Sequence, residues 1–371
     1  MRKVKRIAIA TGTRADWGLL VPLARELKKR GAELEVVATY AHLFPEMGNT
    51  IEEIRADGFE PVEIPARIKN TEAVADTVTG FAEYFRQINP DYVVILGDRF
   101  EMLGVASAAL LTGVKIAHIA GGTVSLGAFD DAIRHSISKM ATLHFPETKK
   151  CRDRLVMMGE DTRGITIAGA LGVYNSLNEK LMTPEEVEQS LGFDLGESYV
   201  VGTFHPATLS SITPEEQMRI WIEGMEKIME EKKDLKYLLT YPNSDTDPKI
   251  LIEQMEAFRE RHRERVCIRP SLGRVRYLSA SKGAAAVIGN SSSGIVEIPS
   301  LGTPVLDIGE RQAGRERSKA VVHCKLEADA IAKGIGAMLS KEARERAMTT
   351  PNPYYKKDTP GVIAGKIMEE R

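Results

Sequence analysis

Several short apolar runs in this chain end in side chains able to move a proton or hold an anion. Asp98 and Arg99 stand in Leu96-Gly97-Asp98-Arg99-Phe100-Glu101, directly after an apolar run. A carboxylate there can act as a general base once desolvation raises its proton affinity, and it would equally serve as the cap of the helix that follows. Further on, His118-Ile-Ala-Gly-Gly-Thr123 leads to Gly127-Ala-Phe-Asp130-Asp131-Ala-Ile-Arg134-His135. An acid at a helix start complements the helix dipole, which accounts for one Asp. The second, with Arg and His one turn later, exceeds what a cap requires. A carboxylate and an imidazole held together can divide base and acid duties.

Other segments suit an anion. Gly12-Thr-Arg14-Ala-Asp16-Trp-Gly18 follows the first apolar run, where Gly12 permits a tight turn and Arg14 would project over a helix start. Phe204-His205-Pro-Ala-Thr208 and Tyr241-Pro-Asn243-Ser-Asp245 occupy equivalent places later in the chain. The strongest local signal is Gly289-Asn-Ser291-Ser292-Ser293-Gly294-Ile-Val-Glu297. Serine hydroxyls and free N–H groups at a helix start favour a phosphate, whereas Glu297, one turn inside, suits ribose hydroxyls. Arg311, Arg315 and Arg317 follow and could neutralise a departing diphosphate, or form a solvated charged loop.

These residues need elements to position them. Strands are expected at 5–10, 33–39, 92–96, 115–119, 199–203, 236–241, 284–288 and 304–308. Amphipathic helices are expected between them, including 17–30, 71–88, 101–111, 215–231 and 249–263. Strands alternating with helices imply parallel sheets covered on both faces. A polar, helix-prone stretch from Val173 to Glu197 marks a boundary. The expected division is 1–172, 173–357 and a terminal helical segment, 358–371, packing back toward the first domain. Two doubly wound sheets in series would place both sets of strand ends on a shared cleft.

A length of 371 residues suits two such domains. With 43% hydrophobic and 27% charged residues and a formal charge of -2, the composition is that of a soluble globular protein, without a global field for nucleic acid or an anionic membrane. Cys151, Cys267 and Cys324 form no CxxC pair, so reduced thiols rather than zinc or disulfides are expected. The basic start precedes an apolar run too short for a secretion signal, and no stretch reaches the roughly 18 apolar residues of a membrane span. A cytoplasmic protein is expected.

Taken together, GTRADWG, HLFPEMGNT, GDRFEML, the DDAIRHSISK run, FHPAT, YPNSD, GNSSSGIVEIPSLGTPV and GERQAGRE resemble the hydrolysing UDP-N-acetylglucosamine 2-epimerases of sialic- and legionaminic-acid-type pathways. The resemblance spans most of the chain in the same order. It implies a GT-B-like α/β fold of two Rossmann-like domains, a UDP-sugar substrate, no cofactor or metal, and a homodimer or higher homo-oligomer. It also implies elimination of UDP from a 2-acetamido sugar to a glycal, then hydration with inversion at C2. By motif match Asp98, Asp130, Asp131 and His135 would be catalytic. Arg14, Asp16, Arg99, His205, Asn243, Ser291, Ser292, Glu297 and Arg311 would bind substrate. The chain departs from the pattern at Ala120 and Thr123, where relatives carry an acid before or after the Gly pair. The competing readings are a non-hydrolysing epimerase, a GT-B glycosyltransferase and a weakly active UDP-sugar-binding relative.

Overall fold

The computed structural model of the protein describes residues 4–124, 130–207, 210–242 and 249–370. The described strands pair in parallel and form two six-stranded sheets. The first contains β1 (Arg6–Thr11), β2 (Glu33–Thr39), β3 (Pro61–Ile64), β4 (Tyr92–Leu96), β5 (Lys115–Ile119) and β6 (Leu143–Phe145), in the order β3-β2-β1-β4-β5-β6. The second contains β7 (Tyr199–Thr203), β8 (Lys236–Thr240), β9 (Val266–Arg269), β10 (Ala286–Gly289), β11 (Val305–Ile308) and β12 (Val321–Cys324), in the order β12-β11-β10-β7-β8-β9. Counted within its own domain, the second order is the first read from the opposite edge. Both are the Rossmann order, with a switch point where β1 meets β4 and where β7 meets β10.

The first sheet shows why these runs become buried strands. Side chains alternate between faces, and both faces are covered. Ile7, Ile9, Tyr92 and Val94 pack with Trp17, Leu20 and Leu23 of the helix Arg14–Lys29. Ala8, Ala10, Val93 and Ile95 pack on the other side with Phe81, Phe85, Met102 and Val105. Ile363, Ala364 and Ile367 of the last helix, Thr359–Glu369, join the Trp17 side, and Lys5 Nζ donates to the Ile367 carbonyl at 2.8 Å. By contacts, residues 4–124, 130–175 and 356–370 make one unit and 176–355 the other. No described helix is long and apolar enough to cross a membrane.

At the second switch point the backbones come too close for any side chain. Gly289 has φ 128°, and a Cβ built on it would overlap the Thr203 carbonyl oxygen of β7. Gly289→Ala is therefore expected to destabilise the protein by about 3 kcal/mol, combining backbone strain with overpacking. Urea denaturation at neutral pH measures it, and a loss within experimental error would remove the close approach from this account.

Candidate functional site

In the N-terminal unit the candidate acid–base residues gather at the carboxyl ends of β4 and β5. The Arg134 guanidinium, whose side chain is only 5% exposed, bonds to the Asp98 carboxylate and donates to the Thr123 carbonyl at 2.9 Å. It also lies 3.5 Å from Asp131, whose other oxygen is 3.4 Å from His135 Nε2. Arg134, Asp131 and His135 meet because the helix Asp130–Met140 places positions three and four apart on one face. Asp130 lies four positions before Arg134 and so shares the Arg134 face by the same spacing. Burial holds the His135 imidazole below its ordinary pKa, with Asp131 pulling the other way. The ring is thus neutral at physiological pH, with one nitrogen able to accept a proton and the other to give one. Gly127, in the approach to this helix, lies outside the described residues.

Beside the Gly-Gly loop, Ala120 adopts a left-handed φ of 64° and Thr123 is 4% exposed. Thr123 Oγ1 lies 3.5 Å from Glu147 Oε2 and 3.5 Å from Cys151 Sγ. A carboxylate therefore does border this loop, carried by the segment after β6.

A second cluster surrounds the turn after β1. Thr13 caps the helix Arg14–Lys29, and its hydroxyl donates to Asp16 Oδ2 at 2.8 Å. Burial raises the Asp16 carboxyl to about 6, with Arg99 and the Thr13 hydroxyl opposing. Arg99 Nε sits 3.8 Å from Asp16 and donates to Glu101 at 2.5 Å, with its guanidinium carbon 6.0 Å from the Tyr40 ring centre. Glu101 is wholly buried, and a side chain on Gly12 would collide with it, which is why a glycine stands there. Arg14 is not in this cluster. It is exposed and lies 3.7 Å from Glu53.

In the C-terminal unit the two arms of the switch point lock together. The His205 amide donates to Asn290 Oδ1 at 2.8 Å, and Asn290 Nδ2 donates to the His205 carbonyl at 2.8 Å. Arg311 Nη1, at 3.1 Å, and Gln312 Nε2, at 2.9 Å, donate to the Asn290 carbonyl. Burial, with Arg311 nearby, lowers His205 to about 4, so it presents a neutral ring. Ser291 caps the helix Ser292–Val296, accepting from the Ser293 amide, and Glu297 ends that helix. The helix is little more than one turn long before a 3-10 turn at Ile298–Leu301. Its aligned dipoles are few, so attraction for an anion falls mainly to Arg311 and the free N–H groups. Asn243 and Thr208 lie outside the described residues.

The family model described as UDP-N-acetylglucosamine 2-epimerase matches residues 25–368. The chain belongs to this family. It is 33% identical over 329 residues, covering 87% of this chain and 85% of the relative, to a GDP/UDP-N,N'-diacetylbacillosamine 2-epimerase (hydrolyzing) of Campylobacter jejuni. It is 32% identical, covering 91% of this chain and 90% of the relative, to a UDP-N,N'-diacetylbacillosamine 2-epimerase (hydrolyzing) of Legionella pneumophila. A crystal structure of the Neisseria meningitidis UDP-GlcNAc 2-epimerase bound to UDP-GlcNAc superposes with a TM-score of 0.82 at 16% identity, covering 98% of this chain and all of that one. That likeness establishes the GT-B-like fold of two Rossmann-like domains.

Within this family member, sequence reasoning had named Asp98, Asp131 and His135, and the structure brings them together. Asp16 and Arg99 meet each other, as do His205, Arg311 and the residue before Ser291. Arg134 had been read only as a neighbour of the Asp pair, although its buried position ties Asp98 to Asp131. Glu147 was missed altogether because Leu143–Phe145, only three residues long, had not been read as a strand. Had it been, Glu147 would have stood out as an acid just beyond a strand end. Among the described residues no group of three or more His, Cys, Asp or Glu could hold a metal ion.

Proposed function

We propose that this protein is a hydrolysing 2-epimerase acting on a UDP-2-acetamido sugar, either UDP-N-acetylglucosamine or a 6-deoxy, 4-acetamido analogue of it. The observation that carries the reading is the junction of Asp98, Asp131 and His135 around buried Arg134. The two relatives named as hydrolyzing enzymes support it. A base takes the C2 proton, the C1–O bond to the diphosphate breaks, and UDP leaves with that electron pair. The glycal then takes hydroxide from water at C1 and a proton at C2 from the opposite face. Two proton-transfer groups are needed, and Asp98, Asp130, Asp131, His135 and Glu147 are the candidates in the N-terminal unit. Asp16 and Arg99 fit the sugar's polar substituents.

In the C-terminal unit, His205, Ser291, Ser292 and Arg311 take the diphosphate, and Glu297 takes ribose hydroxyls. Arg311→Ala is expected to weaken UDP binding about 10- to 100-fold, the worth of a charge-assisted hydrogen bond to phosphate. Titration calorimetry with UDP measures this, and an unchanged affinity would strike Arg311 from the site.

The decisive experiment incubates the protein with a panel of UDP- and GDP-linked 2-acetamido sugars in deuterium oxide and follows the products by mass spectrometry. Free nucleotide and a free 2-epimer with one deuterium at C2 are expected. A product still joined to UDP would favour the non-hydrolysing reaction. UDP release only on adding an acceptor would favour a glycosyltransferase. Binding of UDP without turnover of any member would leave a non-catalytic relative.

A further inference from the structure

We propose that His118 is a positioning residue, a buried imidazole that ties the turn carrying Asp98 to the helix carrying Asp131, Arg134 and His135. The inference rests on the acid–base role given to Asp98 above. His118 lies in β5, with Ile95 of β4 and His144 of β6 as its register partners, and is wholly buried. Packing alone would be met there by an aliphatic residue, as at Ile116 and Ile119 of the same strand. A buried imidazole needs hydrogen bonds to offset its lost hydration, and both of its bonds reach segments of the candidate site.

Its Nε2 lies 2.8 Å from the Gly97 carbonyl oxygen and its Nδ1 3.1 Å from Ser138 Oγ. A carbonyl oxygen can only accept, so the proton is on Nε2. Burial, reinforced by His144 and His135, lowers the pKa to about 4, so the ring holds one proton and Nδ1 is bare. The Ser138 hydroxyl stands within reach of bare Nδ1 and of the Arg134 carbonyl, 3.0 Å distant, and its single hydrogen serves one of them at a time. The tautomer is thus set by the Gly97 carbonyl.

Each arm of the ring reaches one step from a candidate catalytic group. Gly97 has a left-handed φ of 73°, and its amide donates to the Ile119 carbonyl at 3.0 Å. With its carbonyl bound by His118, Gly97, the residue before Asp98, is held at both its amide and its carbonyl. On the other side, Ser138 is one turn from Arg134 on the same helix. The Gly-Gly loop is registered on the same bond. A side chain at Gly121 would press on Ser138 Oγ, at 2.9 Å, and on His118 Nδ1, at 3.0 Å. Two loops and one helix that carry or border the acid–base groups are therefore aligned by one ring.

Nitrogen-15 NMR of the full chain labelled at histidine reads the ring without an assay. An Nε2–H tautomer that does not titrate between pH 5.5 and 8.5 is expected, and an Nδ1–H tautomer or a titration in that range overturns the proposal. Two variants then separate the arms. His118→Gln puts an amide nitrogen near Nε2 and keeps the Gly97 tether, whereas His118→Asn puts its amide near Nδ1 and keeps only the Ser138 side. With UDP-N-acetylglucosamine, or UDP-N,N'-diacetylbacillosamine where the panel ranks it higher, kcat of His118→Asn should fall on the order of 100-fold and that of His118→Gln less than about 10-fold, with KM within about twofold in both. Equal losses of kcat, or a loss expressed in KM, overturn the proposal. A crystal structure of His118→Asn should show Asp98 displaced from Arg134, and an unmoved Asp98 overturns it. Displacement without loss of kcat would instead remove Asp98 from the mechanism, and a wild type inactive on the whole panel would refute the proposed function, while the tautomer and the displacement still decide the positioning. If His118→Asn does not fold, the NMR result and His118→Gln decide.

Discussion

Asp98→Asn is expected to slow UDP release about 1,000-fold while leaving the affinity for UDP within about twofold. The amide fills the same space but cannot take a proton. UDP affinity is spared because the nucleotide-binding residues proposed here belong to the other unit. The substitution also removes the charge facing a guanidinium that is only 5% exposed, so a loss of about 3 kcal/mol of stability should accompany it. Assays belong at a temperature where melting curves show the variant folded. Asp131→Asn provides the control, since it leaves the Asp98–Arg134 pair intact and should cost activity with less stability. UDP release within 10-fold of wild type in both variants would take these carboxylates out of the mechanism.

The second large effect is acid unfolding. Burial depresses His42, His118 and His205 to about 4 each. His42 is satisfied as a neutral ring, with Thr11 Oγ1 and Thr50 Oγ1 both 2.9 Å from its nitrogens. Unfolded, each histidine returns to its ordinary 6.5, so between pH 6.5 and 4 the unfolded chain binds more protons than the folded one. Stability must therefore rise with pH across that window and be lost as pH falls through it, by about 1.4 kcal/mol per pH unit for each ring. Asp16 acts in the opposite sense. Its folded value of about 6 lies above its unfolded 3.8, so below pH 6 its protonation offsets roughly one histidine. These four groups together leave a slope of about 3 kcal/mol per pH unit between pH 6 and 4. Urea midpoints across this range measure it, and His42→Gln should flatten the slope by one proton. A flat profile would mean that these rings are not held neutral.

The four strands that sequence reading missed are β3, β6, β9 and β12, and these are the four sheet edges. Each is three or four residues long. Such edges carry too few residues for a period of two to register, and apart from a single bridge from His144 to Ile165 they are paired on one side only. The inner strands were legible because both of their faces are buried, which demands runs such as Tyr-Val-Val-Ile-Leu in β4. The loss had a functional cost, since Glu147 follows one of the unread edges.

Local chemistry in the chain alone was enough to determine the two Rossmann-like halves, the family and most of the candidate residues. Strand ends, glycine turns and polar runs at helix starts are set by neighbours in sequence. What only the tertiary structure decided was which of those residues meet. It set Asp131 between Arg134 and His135 and sent Arg14 to Glu53. It also buried Arg134 against Asp98, 36 positions away, and drew two loops and a helix onto His118. Those outcomes depend on strand order and on the direction of individual side chains. Distance along the chain encodes neither, because a parallel sheet brings to one edge residues separated by whole helices.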